Sequence, residues 1–179
     1  MCTTNDSDMK MAEPSCDYYL SACSSLDHGD PITAIALLTQ AITKNEADVP
    51  SRLMRAQLLL RMGDLSTAAS DAEWLYSHKG DMEEVLLLTA RVTYAQGDKE
   101  KALYIYNKVL EVNPYLAEAY TERGRIYFER GESQLAEADL RKALELNPQK
   151  IAEVSGEYSA EGSEHHSKRG YSVMNPFGL

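Results

Sequence analysis

The chain has few of the features that mark membrane or secreted proteins. Its 179 residues contain no apolar run long enough to cross a bilayer, and residues 1–15 lack the basic start and apolar centre of a signal peptide. Cys2, Cys16 and Cys23 form no C-x-x-C pair, and the last two are spaced too far apart on one helix for a disulfide. The chain as written favours a cytoplasmic protein with reduced thiols.

Positive charge is also scarce. The chain has 18 Lys and Arg against 28 Asp and Glu, which gives a formal net charge of −10. No segment clusters enough cations to follow a phosphate backbone, so nucleic acid is disfavoured as a partner. A hydrophobic content of 44% is ordinary for a globular domain and argues against disorder throughout the chain.

Motifs of catalysis and metal binding are absent from the sequence. There is no Gly-rich phosphate loop, no G-x-S-x-G and no H-E-x-x-H. His165 and His166 are adjacent but have no ligand-spaced partner, which favours a solvated tail over a metal site. His28 and His78 fall near predicted helix ends, where turn or cap roles are ordinary. We therefore predict no enzymatic activity, no cofactor and no metal.

The sequence does contain a repeat with a period of 34 residues. A glycine followed by an acid recurs at this spacing, an alanine follows five residues later, and another small residue precedes the glycine by seven. Three such columns in four copies argue against a generic helical bundle with chance spacing. The columns are Gly29, Gly63, Gly97 and Gly131; Ala34, Ala68, Ala102 and Ala136; and Ala22, Ala56, Ala90 and Gly124.

Each column predicts a structural role. The glycine ends the first helix of a repeat in the left-handed conformation, which only glycine adopts at little cost. The small residues allow helices to approach closely. Proline at positions 114 and 148 stops the second helix of the last two repeats. The acids beside the glycines are expected to cap the second helices; they are Asp30, Asp64, Asp98 and Glu132.

The last block resembles the tetratricopeptide-repeat family, whose signature is W-x-x-L-G-x-x-Y, then A-x-x-x-F, then P. Tyr, Arg and Leu stand here in place of Trp, Leu and Phe, and the second block departs further, with Arg52 at the aromatic position and Gly80 in place of proline. The resemblance implies an all-α, right-handed superhelical solenoid of antiparallel helix pairs. The matching positions are Tyr120, Arg123, Gly124, Tyr127, Ala136, Leu140 and Pro148.

The columns fit four gapless repeats, 15–48, 49–82, 83–116 and 117–150, which together form the predicted domain 15–150. Residues 1–14 are predicted to be a disordered N-terminal segment. Residues 151–158 are predicted to form an amphipathic helix that caps the last repeat, and 159–179 a linker and tail. Two interpretations of 171–179 stay open: a mobile tail, or a peptide that docks on a repeat of its own or a neighbouring molecule.

The resemblance implies a scaffold for protein–protein interaction, in which the first helix of each repeat lines a concave groove. The apolar groove positions are interpreted either as core or as an exposed strip that receives a peptide's side chains. Arg91 and Arg125 either hold a partner's carboxylate or pair locally with Glu84, Glu118 or Glu129. The predicted groove residues are Tyr19, Cys23, Leu26, Leu53, Gln57, Leu60, Leu87, Arg91, Tyr94, Thr121, Arg125 and Phe128.

The partner is expected to be a protein or peptide, with no membrane and no nucleic acid. The Lys and Asn positions by which some family members clamp chaperone C-termini are occupied here by unrelated residues, so that specialisation is not predicted. A second hypothesis is a homo-oligomer that assembles through the tail or a repeat edge, and an enzyme is a distant third. Trp74 is interpreted either as a second contact point or as a residue packed on a neighbouring helix.

Overall fold

The computed structural model describes residues 14–147, and every regular element in that range is an α-helix, which confirms the predicted all-α class. Consecutive helices pack as antiparallel pairs, and none of those described has the length and apolarity needed to cross a bilayer. The helices are α1 (Pro14–Asp27), α2 (Pro31–Lys44), α3 (Val49–Met62), α4 (Leu65–Lys79), α5 (Glu83–Ala95), α6 (Lys99–Val112), α7 (Ala117–Glu129) and α8 (Ser133–Leu146).

The repeated glycines stand in the turns from each odd-numbered helix to the next helix. Their φ angles are +74°, +82°, +90° and +77°, all in the left-handed region, as the sequence predicts. A Cβ added at any of them would have no heavy atom within 4 Å. The backbone conformation, and not a lack of space, therefore requires glycine at these turns.

The predicted helix caps form at three of the four acids. The carboxylates of Asp30, Asp64 and Asp98 each accept a hydrogen bond from the backbone N–H three residues later, at 3.0, 3.1 and 3.0 Å. The prediction is wrong for Glu132, which makes no side-chain cap and pairs instead with Arg130 at 2.6 Å. The additional methylene of Glu carries its carboxylate away from the cap position.

The small-residue columns lie where the two helices of a pair touch. Ala22, Ala56 and Ala90 are completely buried. At Gly124 the contact is closer still, since an added Cβ would stand 3.2 Å from the Cβ of Asp139 on α8. The apolar core runs between the odd and even helices along the whole described region, in three neighbouring clusters.

Buried ion pairs tie two of the helix pairs together. The Arg55 guanidinium donates to both carboxylate oxygens of Asp71 at 2.8 and 2.7 Å, and to the hydroxyl of Thr39 at 3.0 Å. The Asp71 side chain is only 2% exposed. Arg55 on α3 thus joins its own helix to the next helix, α4, and to the preceding one, α2. We call this set of an arginine, an acid and a neutral acceptor an arginine triad.

The arginine triad recurs two repeats later. Arg123 donates to both oxygens of Asp139 at 2.7 Å and to the amide oxygen of Asn107 at 2.7 Å. The intervening repeat has no triad, since Thr89 and Ile105 stand at the corresponding positions. The arginine triad therefore occurs in every second repeat, whereas the helix pair occurs in every repeat.

Asp98→Ala is expected to lower the free energy of unfolding by about 1 kcal/mol, because the first turn of α6 loses its cap. Glu132→Ala removes the corresponding acid at α8, where no cap bond exists, and is expected to change stability by less than about 0.5 kcal/mol. Urea unfolding of the two variants measures the difference. Equal losses would contradict the assignment of the caps.

Asp139→Ala is expected to cost about 3 kcal/mol, because the half-buried Arg123 loses its carboxylate. Replacing both partners by the residues of the third repeat, Arg123→Thr with Asp139→Ile, is expected to recover most of that loss. The exposed pair of Arg141 with Glu137 supplies the control, since Glu137→Ala should have little effect. A double variant as unstable as Asp139→Ala in thermal unfolding would overturn this account.

Candidate functional site

A cavity of about 280 Å³ opens on the surface formed by α3, α5 and α7, which we call the odd-helix face. Successive odd helices lie side by side there, so residues distant in sequence meet around one opening. Its lining includes four predicted groove residues together with Ala95 and Glu122, neither of which was predicted. The full lining is Leu60, Arg91, Tyr94, Ala95, Glu122 and Arg125.

The remaining predicted groove residues lie on odd helices outside this cavity, and none is fully buried. Gln57, Thr121 and Phe128 are exposed, whereas the others are half-buried: Tyr19, Cys23, Leu26, Leu53 and Leu87. The half-buried apolar residues pack on the core clusters and keep one side accessible. The apolar strip is therefore partly core and partly accessible; its role in receiving a peptide stays a prediction.

The two groove arginines have local partners. Arg91 pairs with Glu118 across the gap from α5 to α7. Arg125 donates to Glu122 on its own helix at 2.6 Å. Local pairing, the alternative interpretation, thus accounts for one contact of each guanidinium, although the sequence did not indicate Glu122 as a partner.

Tyr94 links the cavity to the surrounding helices. The Arg125 guanidinium lies 4.5 Å from the centre of the Tyr94 ring. The Tyr94 hydroxyl donates to Glu129 at 2.5 Å. Burial, reinforced by this hydrogen bond, raises the pKa of Tyr94. Hydrogen bonds from Tyr94 and from Lys99 lower the pKa of Glu129. The network holds the Arg125 side chain against the cavity wall.

Two buried donors in this part of the structure lack acceptors. The Tyr106 hydroxyl on α6 and Nε of Arg125 are both buried, and neither has a hydrogen-bond partner among the described residues. Burial raises the pKa of Tyr106. Tyr106 is completely buried and does not line the cavity.

The buried hydroxyl of Tyr106 was not predicted. Its column carries Leu38, Ala72 and Leu140 in the other repeats, which indicates an ordinary core position. The one available signal was the hydroxyl itself, because a phenol at a core position needs an acceptor that the neighbouring repeats do not provide.

Trp74 packs against neighbouring side chains, as its alternative interpretation held. Arg52 lies 4.3 Å from its ring centre, and His78 stacks on it at 4.2 Å. The Nδ1 atoms of His28 and His78 lie 2.7 and 2.8 Å from backbone oxygens one turn earlier. The predicted capping helix 151–158, the tail 171–179 and the adjacent histidines lie outside the described residues.

Comparison with known proteins agrees with this architecture. Two family models described as "Tetratricopeptide repeat" match residues 53–117 and 117–150. The chain is 27% identical to human DnaJ homolog subfamily C member 3 over 134 residues, which are 74% of this chain and 26% of that protein. The chain spans about a quarter or less of the length of the curated relatives that it matches.

Two solved structures show the same fold. MamA superimposes with a TM-score of 0.69 at 18% identity, over 78% of this chain and 82% of that one. TTC0263, a thermophilic TPR protein of Thermus thermophilus, gives a TM-score of 0.67 at 22% identity, over 83% of both chains. The predicted all-α solenoid is thereby confirmed.

Proposed function

Because the chain belongs to the tetratricopeptide-repeat family, a family of protein-interaction scaffolds, we propose that it binds a partner peptide along the odd-helix face. The peptide is held at the cavity by an acidic group. The observation that carries the proposal is the pair of guanidinium groups, Arg91 and Arg125, that line one cavity on this face.

A carboxylate suits this cavity. It carries two oxygens with about four acceptor sites, enough for charge-assisted bonds to both Arg91 and Arg125. A neutral apolar side chain in the same place would make no such bond.

The local glutamates do not block this mode of binding. Glu118 is 51% exposed, so its pairing with Arg91 contributes little and can be exchanged for a ligand carboxylate. Half-buried apolar residues such as Leu53 and Leu87 continue along the same face. They offer contacts for apolar side chains on either side of the acidic group.

Peptides selected from a random display library on the full chain are expected to be enriched in Asp and Glu. Arg91→Gln with Arg125→Gln should weaken the selected peptides by roughly tenfold or more, since the charge-assisted bonds are lost. Fluorescence anisotropy measures the affinity, and circular dichroism checks the helicity of the variant.

Arg130→Gln with Arg141→Gln is the matched control for the groove variant. It removes two arginines that also form ion pairs, but both lie outside the cavity. Selected peptides without acidic residues, or equal binding to both double variants, would refute the proposal. Mass measured across a concentration series separates peptide binding from self-association.

Tyr106→Phe is expected to stabilise the free protein by about 1 kcal/mol, because a buried hydroxyl without an acceptor is removed. The selected acidic peptides should bind this variant unchanged, because Tyr106 does not line the cavity. Thermal unfolding and peptide titration measure the two effects. A variant that is less stable, or that binds the peptides more weakly, would contradict this account.

A further inference from the structure

A second and larger cavity, of about 480 Å³, lies between α4 and α6, with α5 as its floor. This α4–α6 cavity is lined by Thr89, Val92 and Thr93 of α5 and by Gln96 in the turn after it. The cavity on the odd-helix face, which we call the groove cavity, is lined by other α5 residues. At 3.6 residues per turn the two sets lie on opposite sides of the helix. The α4–α6 cavity is therefore separate from the proposed peptide groove, and its volume is in the range of ligand sites.

The α4–α6 cavity occurs at the repeat that has no arginine triad. In the neighbouring repeats, Arg55 and Arg123 extend from α3 and α7 into the space between two even helices. In the third repeat the corresponding residue is Thr89, whose side chain is too short to fill that space. The α4–α6 cavity thus stands at the position that Arg55 fills in the preceding repeat and Arg123 fills in the following repeat.

The third repeat also has one anionic residue at this place, but on the other even helix. Ile105 on α6 stands at the position of the triad acids Asp71 and Asp139. Glu73 on α4 stands at the position of the neutral triad acceptors Thr39 and Asn107. Glu73 lines the cavity and makes no ion pair among the described residues. A guanidinium in the cavity would meet a carboxylate where the neighbouring triads offer a hydroxyl or an amide oxygen.

The rest of the lining also suits a planar cation. The Thr89 hydroxyl donates to the Val85 carbonyl oxygen at 2.7 Å and keeps its own lone pairs to accept. Tyr76 on α4 and Tyr104 on α6 also line the cavity, and a guanidinium can stack on an aromatic ring. Lys108 donates to the Tyr76 hydroxyl at 3.0 Å and lies 4.8 Å from the Tyr104 ring centre, so a cation already lies beside these two tyrosines.

We propose that the α4–α6 cavity binds an arginine side chain presented by a partner protein, with Glu73 as its counter-ion and Thr89 as a second acceptor. The incoming arginine completes in trans the triad that repeats two and four build from their own residues. Lys101 borders the cavity from the first turn of α6, which leaves the Glu73 side as the anionic side.

The test uses the full chain with N-acetyl-arginine methylamide as the probe, and the citrulline analogue as a probe of similar shape without charge. Nuclear magnetic resonance titration to millimolar concentration is expected to shift the resonances of Glu73, Thr89 and Tyr104 with the arginine probe. Citrulline should bind roughly tenfold more weakly. Equal binding of the two probes, or shifts confined to other surfaces, would overturn the proposal.

Glu73→Gln is expected to weaken the arginine probe by roughly tenfold, while Glu111→Gln, an exposed acid on α6 outside the cavity, should leave it unchanged. Thr89→Arg with Ile105→Asp rebuilds the triad within the chain and should abolish probe binding. If that variant does not fold, the comparison of Glu73→Gln with Glu111→Gln decides alone. Acidic peptides should bind Glu73→Gln normally, which keeps this test independent of the groove.

Discussion

The close approach of paired helices is the constraint on which the rest of the structure depends. Ala56 and Ala90 leave room for only a methyl group between helices, and Gly124 for less. Because the backbones meet at these points, the register of each pair is fixed. Arg55 and Arg123 each directly precede a small residue of this column. They therefore stand opposite an acid on the paired helix and reach both of its carboxylate oxygens. The same register sets three odd helices side by side around the groove cavity.

A structural feature could be predicted from the sequence when the residues that cause it lie close together in the chain. The left-handed glycines and three of the caps follow from residues within one turn, so their columns were sufficient. Glu132 failed for an equally local reason, the length of its side chain. The arginine triads escaped notice because their column alternates, Ser21, Arg55, Thr89 and Arg123, and because their members come from three helices.

The groove shows a similar limit. Spacing placed Arg91 and Arg125 on odd helices and named Glu118 among their possible partners, but it did not indicate Glu122. Nor did it show that the Tyr106 hydroxyl would be buried without an acceptor, since that depends on packing between helices. In a chain of net charge −10, neighbouring acids already pair with these arginines. Under the proposed mode of binding, an acidic group of the partner would therefore exchange places with these local acids.

The third repeat contributes to the lining of both cavities, and its interior position in the solenoid explains how it can. Helix α5 carries more buried residues than any other helix described, and it has helices packed on both sides. Exchanging a buried ion pair for apolar contacts is close to neutral for stability, so Ile105 can stand where repeats two and four have an acid. Loss of the arginine then leaves space without loss of the fold.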